Sequence, residues 1–425
     1  MRTETSKKVW IMNHYAGSMF FEKGGRHYSF AKYMRIQGFE PVIFCSNAKH
    51  GDKEYFQNFS GAWQEYMAEE IKVPFVFVRS RLYLGNGKQR VLNMMDFYRN
   101  VKLAAREYSQ KNGKPDIIYA SSVHPLSLVA GIELAKYFGV KCVCEVRDLW
   151  PESFVAFGIV SAANPVLKLL YRGERWIYKK ADALIFSMEG GRDYIIEKGW
   201  DKAHGGPVDL SKVWHINNGV DLKNFDFNCE HSTLADDDLE REDTFKVVYC
   251  GSIRKANNLG LLLDVAKRLN DDSVQFLIWG SGDESEALEH RITEEDIKNV
   301  HLKGRVPKQY IPYINSKANL TVLNYEVNDI WRYGGSQNKL FEYFASGTPV
   351  MTNIRMGYDL IDRYDCGFHV DYSDIDSVAS LLSRLKSMPQ EEYSRYCANA
   401  RKAAEEYDFK RLADKLCRVF EKCMK

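Results

Sequence analysis

The chain has 425 residues, 45% of them hydrophobic, which is too much for one ordinary core and suits two domains of about 200 residues each. Its formal net charge of +2 excludes a general polyanion binder. No apolar run reaches the roughly 18 residues of a membrane-spanning helix, and the opening Met1-Arg2-Thr3-Glu4-Thr5-Ser6-Lys7-Lys8 lacks the apolar stretch that directs secretion, so a cytoplasmic protein is expected.

Nine cysteines form no Cys-x-x-Cys pair. Cys142, Cys144 and Cys250 fall in apolar runs, which reads as reduced core thiols and implies neither disulfides nor a metal.

In chain order, residues 8–13 read as a first strand. A loop with Gly24-Gly25 follows, then a helix over 26–37 stopped by Gly38, then a strand over 41–45. The glycine spacing is not that of a dinucleotide fingerprint. Further short apolar runs at 73–78, 116–120, 141–145, 183–187 and 213–216 alternate with longer helical patterns. Near-continuous Val, Ile and Cys mark strands covered on both faces, hence a parallel sheet wrapped by helices.

Two of these runs open into polar loops, Ser121-Ser122-Val123-His124-Pro125 and Glu145-Val146-Arg147-Asp148-Leu149-Trp150-Pro151-Glu152. His124 by itself is more often a hydrogen-bonded structural residue than a catalyst. Residues 79–114 hold nine cations (Arg79, Arg81, Lys88, Arg90, Arg99, Lys102, Arg106, Lys111, Lys114) against Asp96 and Glu107. Residues 230–243 hold seven acids and Arg241, which suits a solvated surface excursion.

The second half restarts the pattern with a strand over 245–251, a helix from about 257 to 269, and a strand over 274–279 running into Gly280-Ser281-Gly282. A strand at 300–302 leads to Gly304-Arg305-Val306-Pro307. Repetition of strand, glycine turn and helix argues for two Rossmann-like domains, with ligands expected beyond the C-terminal strand ends. Asp236-Asp237-Asp238 and Asp374-Ile375-Asp376 fit an Asp-x-Asp metal pattern, but the first lies in the acidic stretch and the second reads as a helix cap. The chain closes with an amphipathic helix over 408–425.

The most informative stretch is Gly334-Gly335-Ser336-Gln337-Asn338-Lys339-Leu340-Phe341-Glu342-Tyr343, followed by Ala345-Ser346-Gly347-Thr348-Pro349-Val350. It reads as a glycine-rich loop and a short helix, with Ser336 as cap. The free amides and positive dipole end suit a phosphate. Glu342, one turn beyond Asn338, is placed to accept sugar hydroxyls. A nucleotide fits both features.

This segment resembles the donor signature of retaining glycosyltransferases of family four, in the branch that builds bacterial surface polysaccharides such as O-antigen and capsule. There the pattern is Ser-x-Asn-Lys-Leu-Phe-Glu-Tyr-x-x-x-Gly-x-Pro-Val. The resemblance implies a GT-B fold: two Rossmann-like, doubly wound parallel-sheet domains with a cleft between them. The domains would span 1–218 and 219–405, with Asn218-Gly219-Val220-Asp221 at the crossing, and 406–425 would return to the first domain.

It further implies donor contacts from Gly24, Gly25, Arg254, Lys255, Gly280, Gly282, Arg305, Val306, Ser336, Asn338, Lys339, Leu340 and Glu342. Asp148, Arg147 and His124 are the catalytic candidates, with Asp148 orienting sugar or acceptor hydroxyls. A side chain at Gly25 is expected to block the phosphate without unfolding the protein. The chain departs from the wider family where a glutamate eight positions before Glu342 is replaced by Gly334, and the pair Arg254-Lys255 is displaced from the usual spacing.

The implied reaction is retaining transfer from a nucleotide-sugar, a UDP-sugar, to a lipid-linked or saccharide acceptor. No protein nucleophile, metal or other cofactor is needed, and no nucleic-acid partner is expected. A lipid-linked acceptor suggests peripheral attachment to an anionic inner membrane face through residues 79–114, extended by 168–180. A UDP-sugar 2-epimerase on the same scaffold, or an inactive sugar-nucleotide binding protein, are the alternatives.

Overall fold

In the computed structural model, which describes residues 6–425, the apolar runs of the first half become the strands of one eight-stranded sheet. These are β1 (Lys7–Met12), β2 (Phe39–Ser46), β3 (Trp63–Ala68), β4 (Val73–Val78), β5 (Ile117–Ser121), β6 (Lys141–Val146), β7 (Ala183–Phe186) and β8 (Val213–His215). Their order across the sheet is β3-β4-β2-β1-β5-β6-β7-β8. All pairs are parallel except β3 with β4, which runs antiparallel from Trp63 opposite Val78 to Ala68 opposite Val73. This edge strand was not expected, because Trp-Gln-Glu-Tyr-Met-Ala is half-exposed and has no continuous apolar run. Central strands such as β5 are buried throughout, as two-sided coverage requires.

The second sheet holds β9 (Phe245–Cys250), β10 (Val274–Trp279), β11 (Val300–Gly304), β12 (Leu320–Leu323), β13 (Val350–Thr352) and β14 (Gly367–His369). Its order is β11-β10-β9-β12-β13-β14, parallel throughout. The short strands β12 and β14 escaped the sequence reading. The core of this sheet is built on Val247, Tyr249, Phe276, Ile278 and Val322, with Leu262, Leu263 and Ala266 of the Gly260–Leu269 helix packed on it. That helix starts later than expected: residues Lys255–Asn257 form a separate 3-10 turn, and Asn258 at φ +46° turns the chain before Gly260.

Two compact units follow from this, residues up to Asn217 together with Phe409–Lys425, and residues Asn218–Asp408. The terminal helix Phe409–Met424 packs on the Arg26–Ile36 helix. Leu412, Leu416 and Phe420 are buried, and Phe409 meets Phe30 edge-on at 5.5 Å.

The acidic stretch is solvated, with Glu230, Asp237, Glu240, Glu242 and Asp243 exposed, and is pinned at its centre: Leu239 is fully buried, Asp236 caps a short helix, and Lys303 Nζ bonds Asp236 at 2.8 and 2.9 Å and Asp238 at 2.6 Å. The basic run is largely consumed by its own unit. Arg81 pairs with Asp96 at 2.6 Å, Lys102 with Glu133 at 2.8 Å, and Arg106 lies over the Tyr137 ring. Phe97 and Tyr108 of the same helix are buried.

Strand order locates the sites. In the second sheet the chain runs outward from β9 through β10 to β11 and then returns to place β12 on the other side of β9. The order therefore reverses between β9 and β12, and in the first sheet between β1 and β5. Ligands of open parallel sheets bind at such reversals, beyond the C-terminal strand ends.

Candidate functional site

At the β9/β12 reversal stands Lys339. It belongs to the Asn338–Ala345 helix, whose buried face of Leu340, Phe341, Tyr343 and Phe344 anchors it to the core. Tyr343 Oη accepts a hydrogen bond from the Cys250 amide at 3.2 Å, which ties the helix to the end of β9. The Lys339 ammonium donates to Tyr249 Oη at 2.8 Å and lies 4.4 Å from the Tyr249 ring and 5.2 Å from that of Tyr325.

Tyr249 sits on β9 and Tyr325 just past β12, so a cation is caged between two aromatic rings at the switch point. Burial lowers the lysine pKa to about 7, against the opposing pull of Cys250 and Glu342. A Cβ on Gly251 would lie 3.1 Å from the ammonium, so the glycine turn after β9 and this cation share one corner.

The other expected donor residues of this unit fall into two groups. Asn338 is exposed and Glu342, one turn later, is half-buried on the same helix. Arg254 and Lys255 are exposed on the turn after β9. Ser336 is not the cap: the helix begins at Asn338 behind Gln337, while the Ser336 hydroxyl accepts from the Asn218 amide at 3.0 Å. Leu340 is buried and its amide bonds the Gln337 carbonyl at 3.2 Å, so its side chain serves the core rather than a ligand.

Arg305 and Val306 follow edge strand β11, with β10 between them and β9. A cavity of about 400 Å³ opens beside Lys246 and Asn319 at the N-terminal starts of β9 and β12, away from this chemistry.

The glycines have distinct reasons. A Cβ on Gly280 would meet the Gly251 carbonyl oxygen at 1.8 Å and one on Gly282 the Ile253 oxygen at 1.9 Å. Both therefore let two turns pack backbone to backbone. Gly334 has φ +90°, a region side chains rarely adopt, so the backbone itself disfavours a glutamate at this position.

In the first unit Gly24 leaves a Cβ only an ordinary 3.6 Å contact, whereas Gly25 sits at φ +95°, ψ 170° ahead of the Arg26–Ile36 helix. The expectation that a side chain at Gly25 leaves stability intact is thereby corrected. Gly25→Val is expected to lower stability by about 1–3 kcal/mol, visible as a reduced thermal midpoint, while Gly24→Ala leaves it unchanged. A shared midpoint for the two variants would contradict the strain.

Asp148 is reached by solvent but closely ringed by protein, and this surrounding raises its pKa against the pull of the Arg147 and Arg90 guanidiniums. It lines a cavity of about 20 Å³ with Ser122, Trp150 and Glu174. The Arg147 amide donates to Ser122 Oγ at 3.0 Å, joining the two polar loops.

His124 does not open to solvent. It is fully buried at the start of the Pro125–Phe138 helix, its Nε2 2.6 Å from His14 Nδ1. Burial, reinforced by Arg90, lowers its pKa to about 3, and burial likewise lowers that of His14. Two neutral rings thus occupy the β1/β5 reversal.

Sequence reasoning missed a buried network beneath these loops. Glu145 accepts from Arg26 Nε at 2.8 Å and Nη2 at 2.6 Å, from His27 Nε2 at 3.1 Å, from Ser121 Oγ at 2.6 Å, and from Tyr119 Oη. His27 Nδ1 lies 2.9 Å from the Asn13 side-chain amide, so a neutral ring donating at Nε2 satisfies both partners. Arg26 also donates to the carbonyls of Ile216 and Asn217. A carboxylate within an apolar strand was the signal available in the sequence.

Residues 26–205 match the Glycosyl transferase 4-like domain and residues 232–403 the Glycosyl transferases group 1 family. Sucrose-phosphate synthase from Thermosynechococcus elongatus is similar over 98% of each chain, with TM-score 0.67 and 16% identity. A trehalose-6-phosphate structure from E. coli, bound with UDP-2-fluoro glucose, is similar over 99% of each chain, with TM-score 0.70 and 11% identity. Anabaena HepE in complex with UDP is similar over 98% of this chain and 100% of its own, with TM-score 0.63 and 14% identity. At these identities the likeness is one of fold. No curated protein matches the chain in sequence.

Proposed function

The chain is a GT-B glycosyltransferase carrying a 4-like and a group 1 domain, and on that premise we propose that it transfers a sugar, with retention, from a UDP-sugar to a lipid-linked or saccharide acceptor in bacterial surface-polysaccharide assembly. The observation that carries this reading is the caged Lys339 at the β9/β12 reversal, with Glu342 following on the same helix. UDP as the carrier draws support from the UDP held by Anabaena HepE and the UDP-2-fluoro glucose held by the E. coli structure.

In this reading the diphosphate rests on the opening amides of the Asn338–Ala345 helix and on the Lys339 ammonium, and Glu342 accepts the ribose hydroxyls. Arg254 or Lys255 stabilises charge developing on the departing phosphate. The anomeric carbon–phosphate oxygen bond breaks as the acceptor oxygen bonds on the same face. The acceptor proton passes to a phosphate oxygen, so no protein carboxylate pair is required. Asp148 and Arg147 orient the acceptor hydroxyl. A lipid-linked acceptor would hold the enzyme at the inner face of the cell membrane.

The test follows UDP released from UDP-GlcNAc with and without a lipid-linked sugar. Release that requires the acceptor is expected. A new UDP-sugar formed without acceptor would indicate an epimerase instead, and tight UDP binding without turnover an inactive binder. Glu342→Gln keeps the shape but loses a charge-assisted bond, and is expected to cost UDP affinity about 1.5–3 kcal/mol. Unchanged affinity in calorimetry would remove Glu342 from the ribose.

A further inference from the structure

The Pro165–Lys180 helix of the first unit, capped by the Asn164 side chain, has three faces rather than two. Leu167, Glu174, Ile177 and Tyr178 are buried against the unit. Adjoining that buried face, Val166, Leu169, Leu170 and Trp176 form an exposed apolar row, with Leu169 68% exposed and Val166 56%. Lys168, Arg172, Arg175 and Lys179 follow each other at spacings of four, three and four, all exposed, as a cationic row beside it. None of these four cations meets a carboxylate among the described residues.

The chain leading into the helix adds exposed Phe157 and Ile159. Between Ser153 and Ala181 the only carboxylate is Glu174. It is buried, takes hydrogen bonds from Tyr178 at 2.7 Å and Tyr194 at 2.8 Å, and burial raises its pKa to about 8.

Large apolar side chains are seldom left in water as a row. An apolar row bordered by cations, with a tryptophan on it, has the chemistry of a helix lying in a lipid headgroup layer. We propose that this face of the Pro165–Lys180 helix docks on an anionic phospholipid surface, the apolar row entering the headgroup boundary and the cationic row meeting lipid phosphates. This moves the membrane contact from residues 79–114 to this helix.

It deepens the proposed function, resting only on its membrane partner. The buried side of the same helix supplies Glu174, Ile177 and Tyr178 to the cavity that Asp148 lines, so docking would bring the helix that borders a candidate acceptor residue onto the lipid.

The experiment is flotation of the full-length protein with phosphatidylglycerol-rich or pure phosphatidylcholine vesicles at ~0.05 M and ~0.5 M salt. Binding is expected on the anionic vesicles at low salt and is lost at high salt. The double variants Leu169→Ser/Trp176→Ser and Lys168→Glu/Arg172→Glu are each expected to reduce the bound fraction at least ~tenfold. Lys88→Glu/Arg99→Glu is expected to leave it unchanged.

Thermal unfolding at the wild-type midpoint shows that the helix variants are folded. Equal binding to neutral vesicles, retained binding by both helix variants, or a dimer in light scattering that Leu169→Ser/Trp176→Ser dissolves would each overturn the proposal, the last by giving the face to a second copy. Flotation without acceptor-dependent UDP release would instead count against the transferase reading alone.

Discussion

UDP binding to Lys339→Met is expected to be weaker by about 1.5–3 kcal/mol, roughly 10- to 150-fold, the range for a hydrogen bond to a charged group. The ammonium is held between Tyr249 and Tyr325 with its pKa lowered to about 7 by burial. A bound diphosphate supplies the countercharge that the cage lacks and draws that pKa back up. Binding above pH 7 therefore takes up a proton, and wild-type affinity should fall by up to about tenfold per unit between pH 7 and 9. The outer phosphate, with a pKa near ~6, is already ionised there, so the fall reports the lysine. The Met variant should be flat over the same range.

Stability moves the other way. A lysine whose folded pKa lies below its ordinary 10.5 makes the free protein more stable as pH rises from 7 towards 10.5, because only the unfolded chain still holds the proton. Lys339→Met removes this dependence and should raise the thermal midpoint at neutral pH. Calorimetry in buffers of different ionisation enthalpy measures the proton uptake directly; none at pH 8 would take Lys339 away from the phosphate.

Glu145→Ala should destabilise the first unit by about 3–5 kcal/mol, the cost of leaving a buried charge unpaired. Arg26 is buried and would lose its carboxylate partner while still donating to the carbonyls of Ile216 and Asn217. Burial alone would raise the Glu145 pKa, but Arg26, His27 and Arg147 outweigh it and hold the carboxyl well below its usual range. A carboxyl lowered in the folded state contributes its stability above the unfolded value and loses it only as the pH falls through the lower folded one. Wild type should thus hold its stability through mildly acid pH and lose this contribution below the ordinary carboxylate range, and the variant should lack that acid step.

Because Arg26 and Glu145 are joined by two hydrogen bonds, the double variant Arg26→Met/Glu145→Met should lose less than the sum of the single changes. Urea unfolding of the three proteins at several pH values measures all of this, and additive losses would show that the pair is not coupled.

Two kinds of information separate here. By itself the sequence determined the repeated two-sheet plan, though not the short strands β12 and β14, because strands such as β5 and β9 are buried throughout and therefore carry mainly apolar residues. It also determined the short helix holding Lys339 and Glu342, since periodicity and the following Gly347 and Pro349 are local. It did not reveal β3, whose alternation is that of a half-exposed edge, nor the true start of that helix, because Ser336 spends its hydroxyl on Asn218, 118 residues away.

Only the tertiary structure decided what each charged side chain meets. Lys339 is caged by Tyr249, 90 residues away, Glu145 is paired with Arg26, 119 residues away, and His124 is closed off by His14, 110 residues away. It also separated two basic amphipathic segments that look alike in sequence. The Lys88–Asn112 helix packs its aromatics and spends Lys102 and Arg106 on Glu133 and Tyr137, whereas the Pro165–Lys180 helix keeps its apolar row and cations outside. Periodicity reports that a face is apolar; which faces find a partner is settled by strand order, which brings distant residues together at the sheet ends.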